Sequence, residues 1–269
     1  MAPLTGKAAQ FLALHRPGEP LLQPNAFDVG SAKILESLGF VAIATTSSGF
    51  AGTVGRLDGQ MSRDEVLAHC AEVSGAVSIP VAADFENAFA DDPSGVADNV
   101  GRAAATGLAG CSVEDWSGSE IYELPRAVAR IAAAADAAHN GATQLVLTAR
   151  AENLIRGRDD LADTIARLQA YQEAGADVLF APGVRTVEAI KAVTSSVDAP
   201  VNVLVSAGAP EVAEVAAAGA ARISVGGSWA IVAYAAVVEA ANELKDHGTY
   251  GAVTRAFGSA SAIRSAFGA

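Results

Sequence analysis

Acidic side chains stand where short apolar runs of this chain break into polar residues, and their types suit one kind of chemistry. One run ends Asp84-Phe85-Glu86-Asn87 and the next ends Ser112-Val113-Glu114-Asp115. An earlier run leads into Thr45-Thr46-Ser47-Ser48-Gly49, after which a loop carries Asp58; a later one ends Thr148-Ala149-Arg150-Ala151-Glu152. If these runs are strands, alternation puts Asp84 and Glu86 on the same side. Carboxylates that converge repel one another unless positive charge lies between them. A hard cation with oxygen ligands supplies that charge. Mg²⁺, with Mn²⁺ as a substitute, keeps several waters and takes few direct carboxylates. Arg150 offers a planar fork that suits a carboxylate. The plainer readings are solvated acids capping the following helices, and an internal ion pair of Arg150 with Glu114 or Glu152. Acids ending consecutive strands, opposite an arginine, favour a site.

Such residues need a scaffold that gathers the carboxyl ends of several strands. The chain repeats a unit in which a helix-like stretch closes on glycine and a short apolar run follows. It appears at Ser37-Leu38-Gly39-Phe40-Val41, Thr106-Gly107-Leu108, Ala174-Gly175-Ala176-Asp177-Val178 and Ala218-Gly219-Ala220. Glycine fits the left-handed residue that ends a helix, and the apolar run suits a strand buried on both faces. The runs predict about eight strands, near Leu21–Pro24, Val41–Thr45, Val81–Asp84, Cys111–Glu114, Leu145–Arg150, Val178–Phe180, Val201–Leu204 and Arg222–Val225. Helices such as Arg63–Gly75, Val96–Thr106, Asp159–Ala174 and Ala209–Ala218 separate them. That alternation predicts a parallel sheet, and the number of units favours a closed (β/α)8 TIM barrel over an open doubly wound sheet. Residues 1–269 then form one domain, with Met1–Arg16 expected as a helix packed outside the barrel. Barrel enzymes place their chemistry at the carboxyl ends of the strands, where these acids fall.

Composition narrows the partners. A net charge of −12 disfavours a nucleic-acid binder, which would carry a basic patch. Two cysteines, Cys70 and Cys111, make no disulfide framework, so a reducing cytoplasm is the default compartment. Met1–Arg16 lacks the pattern of a signal peptide. The most apolar run, Trp229–Ala241, is too short for a membrane span and contains Glu239.

Several segments, in this order and spacing, resemble the isocitrate lyase / phosphoenolpyruvate mutase superfamily. They are Pro24-Asn25-Ala26-Phe27-Asp28-Val29-Gly30-Ser31-Ala32, Thr46-Ser47-Ser48-Gly49, Ala83-Asp84-Phe85-Glu86-Asn87, Ser112-Val113-Glu114-Asp115 and Ala149-Arg150-Ala151-Glu152. The resemblance covers nearly the whole barrel. It implies that Asp84 is the direct Mg²⁺ ligand and that Asp58, Glu86 and Glu114 act through metal-bound waters. It also implies that the Ser48 hydroxyl and the Gly49 and Phe50 amides grip a substrate carboxylate and carbonyl oxygen, while Arg150 binds a carboxylate or phosphonyl group. The substrate is then a small anionic carboxylate, and a metal at its carbonyl oxygen stabilises enolate charge.

The chain also departs from that pattern. The carbon–carbon lyases of the superfamily carry a catalytic cysteine in a Lys-Lys-Cys-Gly-His loop after the fourth strand. Here the loop reads Asp115-Trp116-Ser117-Gly118-Ser119-Glu120-Ile121-Tyr122. Cys111 lies at odd spacing from Glu114 and faces the other way, and Cys70 sits in a helix pattern; both read as core. His15, His69, His139 and His247 fall in helical or helix-end segments, which gives no histidine metal site. The turns Ser206-Ala207-Gly208 and Val225-Gly226-Gly227-Ser228 suit either phosphate binding or simple tight turns. Three functions stay open. They are a Mg²⁺-dependent lyase or decarboxylase of a small 2-oxo acid, a phosphonomutase or phosphonopyruvate hydrolase, and a non-catalytic binding barrel. A metal-bound water or Tyr122 is the candidate proton donor. Ser228–Val238 is apolar around the whole helix, which predicts either a partner chain or cover from Ala252–Ala269. The resemblance implies a swapped C-terminal helix and a homo-oligomer, a dimer or a tetrameric dimer of dimers.

Overall fold

The computed structural model describes residues 3–268. Its strands are β1 (Leu21–Gln23), β2 (Asn25–Ala26), β3 (Ile43–Thr45), β4 (Val81–Asp84), β5 (Gly110–Glu114), β6 (Val146–Arg150), β7 (Val178–Phe180), β8 (Val201–Leu204) and β9 (Arg222–Ser224). All pair in parallel in the order β1-β9-β8-β7-β6-β5-β4-β3-β2. Leu21–Ala26 therefore touches both the last strand, through β1, and the next strand, through β2. This is the expected barrel, with its first strand split. Pro24 causes the split: it has no N–H for the ladder, while its carbonyl still accepts from the Ala44 amide at 2.9 Å.

Helices surround the sheet: α1 (Gly6–Leu12), α2 (Val29–Ser37), α3 (Ser47–Thr53), α4 (Arg63–Ala76), α5 (Pro93–Ala104), α6 (Leu124–Asn140), α7 (Leu161–Glu173), α8 (Val187–Thr194), α9 (Val212–Ala217), α10 (Ser228–His247), α11 (Gly251–Ala256) and α12 (Ala260–Ala266). Their starts follow local chemistry. Helix α5 begins at Pro93 rather than Val96 because Asp92 accepts from the Gly95 amide at 2.9 Å and Pro93 has no N–H to satisfy. Ser62 and Glu65 form a reciprocal cap on α4. The stretch after β3, expected as a loop, is α3, capped by Thr46.

The main core lies between sheet and helices and includes both cysteines. A second cluster fills the amino end of the barrel, where Ala8 and Phe11 of α1 meet Leu21, Ala42, Ala44, Ala82, Ala109, Val146 and Val178. Helix α1 is thus a plug beneath the barrel, not a helix outside it; Met1 and Ala2 of the expected segment lie outside the described residues. Alanines at the strand starts leave a hollow that Phe11 fills. A side chain at Gly110 would sit 3.0 Å from the Phe11 ring and 2.8 Å from the Val146 carbonyl.

At the other terminus α11 runs back along α10, held by Arg255–Glu239 and by the Gly251 and Ala252 amides on Glu243. Helix α12 docks on α2, where Phe267 approaches Gly30. This return leaves Ile231, Val232, Val237 and Val238 of α10 exposed. Cover of that face by Ala252–Gly268 is therefore not realised; Ala269 of the expected segment lies outside the described residues. Among the described residues no helix is long and apolar enough to cross a membrane.

Candidate active site

The register of the sheet sets the site. Asp84 pairs with Ser112, Ser112 with Thr148, and Glu114 with Arg150, so the carboxyl ends of β4, β5 and β6 lie side by side. Two adjoining cavities open there. An axial one of about 170 Å³ runs down the barrel and is bordered by Ser47, Ser48, Asp58, Asp84 and Arg150 at its mouth. A lateral one of about 420 Å³ is bordered by Asp58, Glu86, Glu114, Trp116, Arg150 and Arg156. Ser47, Asp58 and Arg150 border both.

Arg150 stands at the centre of the acids. Its Nη1 lies 3.2 Å from Asp84 Oδ1, and its Nε lies 2.5 Å from Glu152 Oε1 and 3.5 Å from Glu114 Oε2. Burial works against its charge, but Glu114, Glu152 and Asp84 raise its pKa further. The positive charge expected between the acids is thus partly supplied by the chain itself, and the internal ion pair is present with both Glu114 and Glu152. Asp84 Oδ2 accepts from the amide and the hydroxyl of Ser47, each at 3.0 Å. Ser47, absent from the sequence-derived site, is therefore what orients Asp84.

Alternation does not place Glu86, because β4 ends at Asp84 and the backbone then turns left-handed at Glu86 (φ 47°), Ala88 (φ 57°) and Phe89 (φ 53°). Such φ values in non-glycine residues cluster at functional sites. The turn sends Glu86 to the lateral cavity, while Asp84 borders the axial one. Glu86 Oε1 is buried without a hydrogen-bond partner among the described residues. Burial first, then Asp84 and Asp58, push its pKa up to about 7 against the pull of Arg150. Burial likewise raises Glu114 well above the carboxylate range, with Arg150 opposing and Glu152 and Asp84 adding. The neighbouring Asp115 serves structure: it accepts from Arg167 Nη1 (3.0 Å), the Tyr171 hydroxyl (2.5 Å) and the Glu152 amide (2.8 Å).

Not every expected residue reaches the cavities. Gly49 and Phe50 border neither. As part of α3, the Phe50 amide donates to the Thr46 carbonyl at 2.9 Å and the Gly49 amide to Thr46 Oγ1 at 3.4 Å. The Phe50 ring stacks on His69 at 3.9 Å. Gly49 is needed for packing instead, since a Cβ there would meet Thr46 Cγ2 at 2.4 Å and Phe27 Cβ at 2.9 Å. Ser48 does face the axial cavity. Tyr122 borders neither cavity: its hydroxyl bonds Asp91, and Arg130 stacks on its ring at 4.2 Å. The Val225-Gly226 turn spends its amides on Asn25 Oδ1 at 3.0 and 2.8 Å, which takes two donors from the phosphate reading. Cys70 and Cys111 are buried, with thiols pushed by burial up to about 12, and neither borders a cavity.

The inward polar residues of the strands were missed. Ser112, Thr148, Asn202, Arg222 and Ser224 border the axial cavity. Thr148 shares its parity with Arg150, Asn202 with Leu204 and Arg222 with Ser224, and a polar residue at that parity in an otherwise apolar strand is the trace that could have found them.

The donors fit a hard cation. All are oxygens, and Glu86 Oε1 is an unpaired acceptor among acids. No group of three or more His, Cys, Asp or Glu side chains among the described residues is close enough to cage a metal directly, so water would complete the shell.

Known proteins share this barrel fold. The family profile described as phosphoenolpyruvate phosphomutase matches residues 11–245. A solved structure from Burkholderia cenocepacia J2315, provisionally described as a lyase/mutase, gives a TM-score of 0.93 at 45% identity, covering 98% of this chain and 96% of that one. A solved 2,3-dimethylmalate lyase, described as a PEP mutase/isocitrate lyase superfamily member, gives a TM-score of 0.82 at 27% identity, covering 92% and 90%. A protein of Mycobacterium tuberculosis described as uncharacterized is 30% identical over 217 residues, 80% of this chain and 81% of that protein. This chain belongs to the phosphoenolpyruvate phosphomutase family, within a superfamily of lyases and mutases.

Proposed function

We propose that the protein is a divalent-metal-dependent lyase or decarboxylase of a small 2-oxo acid, working through an enolate. The observation that carries this reading is the unpaired, buried Glu86 Oε1 in a mouth shared with Asp58, Asp84 and Glu114. Asp84 would hold Mg²⁺ directly, and Asp58, Glu86 and Glu114 would hold its waters. The ion would supply stabilisation of negative charge on a substrate oxygen. Arg150, held by Asp84, Glu114 and Glu152, sets the charge of the wall between the cavities and orients Asp84. Ser48 offers its hydroxyl at the mouth. Trp116 and Arg156, stacked at 4.7 Å, form the side wall of the lateral cavity.

Breakage of a carbon–carbon bond leaves its electron pair on the enolate. When carbon dioxide is the other product, no general acid is needed for departure, and solvent protonates the enolate afterwards. That suits cavities whose borders carry no lysine, histidine or cysteine among the described residues. A phosphonomutase would need groups to guide phosphorus, and Trp116–Ile121 forms only a short antiparallel bridge.

Asp84→Ala should lower turnover of oxaloacetate with Mg²⁺ by at least 100-fold, and Glu86→Ala by much less. Oxalate, a planar mimic of the pyruvate enolate, should inhibit at constant free metal. Near-normal turnover by Asp84→Ala would remove the metal assignment. Turnover of phosphonopyruvate but of no purely carbon 2-oxo acid would move the protein to the phosphonate class.

A further inference from the structure

Arg222 is a charged side chain inside the barrel that this reading leaves unused. It is buried, and the partners of its guanidinium are neutral. Nε donates to Asn202 Oδ1 at 2.9 Å, Nη2 to Thr148 Oγ1 at 3.2 Å, and Nη1 lies 3.2 Å from His15 Nε2. His15 Nδ1 lies 3.0 Å from the Phe11 carbonyl and must carry a proton, so Nε2 is the acceptor for Arg222. Burial, then Arg222, hold the His15 pKa down to about 3, which keeps the ring neutral.

Arg150 is surrounded by three carboxylates; Arg222 has none within ion-pair distance among the described residues. Burial alone acts on it, pulling its pKa down to about 9. Arginine does not give up its proton at neutral pH, so a buried cation among neutral acceptors is a cost that an anion would offset. The guanidinium has five N–H groups and three neutral partners, which leaves donors for a ligand. It is also accessible to one, because it borders the axial cavity that reaches Ser48 and Asp84 at the mouth. Helix α1 closes the barrel below, so entry is from the mouth. Thr148, which Arg222 touches, precedes Arg150 by two residues on the same strand face. The two arginine layers are therefore roughly 7 Å apart along the barrel, within the reach of a short dicarboxylate.

We propose that Arg222, with Asn202, Thr148 and His15 around it, forms a carboxylate-binding subsite at the floor of the axial cavity, which takes the far end of a short dianionic substrate. The substrate part rests on the reading of the mouth as a 2-oxo-acid site; the subsite itself can be tested without turnover. Metal-free protein is titrated with formate, oxalate, malonate and succinate at constant ionic strength, for wild type and Arg222→Met. A dicarboxylate that binds wild type more tightly than formate, and at least tenfold more weakly to Arg222→Met, supports the proposal. Formate bound as tightly as every dicarboxylate would overturn the substrate part and leave a free-anion site. Equal binding of all four anions to wild type and Arg222→Met would overturn the subsite. If that variant does not fold, bromide soaked into wild-type crystals decides: an anomalous peak at the guanidinium supports the subsite, and its absence overturns it. Failure of the enzyme to turn over any 2-oxo acid would leave these measurements standing, so the two readings fail separately.

Discussion

Glu86 combines a left-handed backbone (φ 47°) with a carboxyl group that has one unpaired oxygen. Its pKa rises from 4.5 to about 7 on folding. The folded state then binds the proton more tightly than the unfolded chain. Its stabilising contribution is fully present below pH 4.5 and is lost as pH rises through about 7. After discounting for partial exposure, the loss is on the order of 2 kcal/mol. Glu86→Gln keeps the group neutral at every pH. Denaturant unfolding of metal-free protein at pH 8 should find this variant more stable than wild type by about 2 kcal/mol, with the gap closing by pH 4. Parallel stability–pH curves for the two proteins would show that Glu86 does not titrate near neutrality.

The loop that presents Glu86 depends on two helices. Arg130 of α6, fully buried, donates to the carbonyls of Glu114 (2.9 Å), Asn87 (2.5 Å) and Ala90 (3.0 Å). Asn99 of α5 donates to the Ala88 carbonyl at 2.8 Å. These contacts hold a backbone that would otherwise relax out of its left-handed turns. Arg130→Met would leave one buried and two part-buried carbonyls without this donor and should destabilise the protein by about 3 kcal/mol. The amides of Asn87–Ala90 should then exchange with solvent faster than those of β5. Unchanged exchange in that loop would mean that its conformation is set elsewhere.

At the scale of the molecule, α10 presents an apolar face without cover. Ile231 is 69%, Val232 64%, Val237 64% and Val238 59% exposed, while the chain's own end docks on α2. We propose that a second copy of the chain covers this face, giving a dimer or a dimer of dimers. The stretch Ser228–Val238, apolar on every side, favours burial over solvent, and its exposed residues are neighbours on one helix rather than scattered. Sedimentation at micromolar concentration should give a mass of at least twice the 27.0 kDa chain, and Ile231→Glu with Val238→Glu should return the monomer. A wild-type monomer would remove the assembly.

Periodicity and punctuation in the sequence determined the strands and most helices. Strand hydrogen bonding and helix capping depend on near neighbours, and a residue's parity within a strand depends only on counting. The acids at the ends of β4 and β5 were legible for that reason, as was the outward turn of Cys111. Parity stops where a strand stops, so Glu86 was placed by its left-handed turn and by Arg130, forty-four residues away along the chain. The Gly49 and Phe50 amides looked free until Thr46 capped α3 and took them. Only the closed barrel brings His15 to Arg222, 207 residues apart, and sets Arg150 among Asp84, Glu114 and Glu152. The sequence determined which chemistries were on hand, because residue type and parity are local. The tertiary structure decided which charges neutralise one another and which are left for a ligand, because electrostatic pairing depends on distance in space.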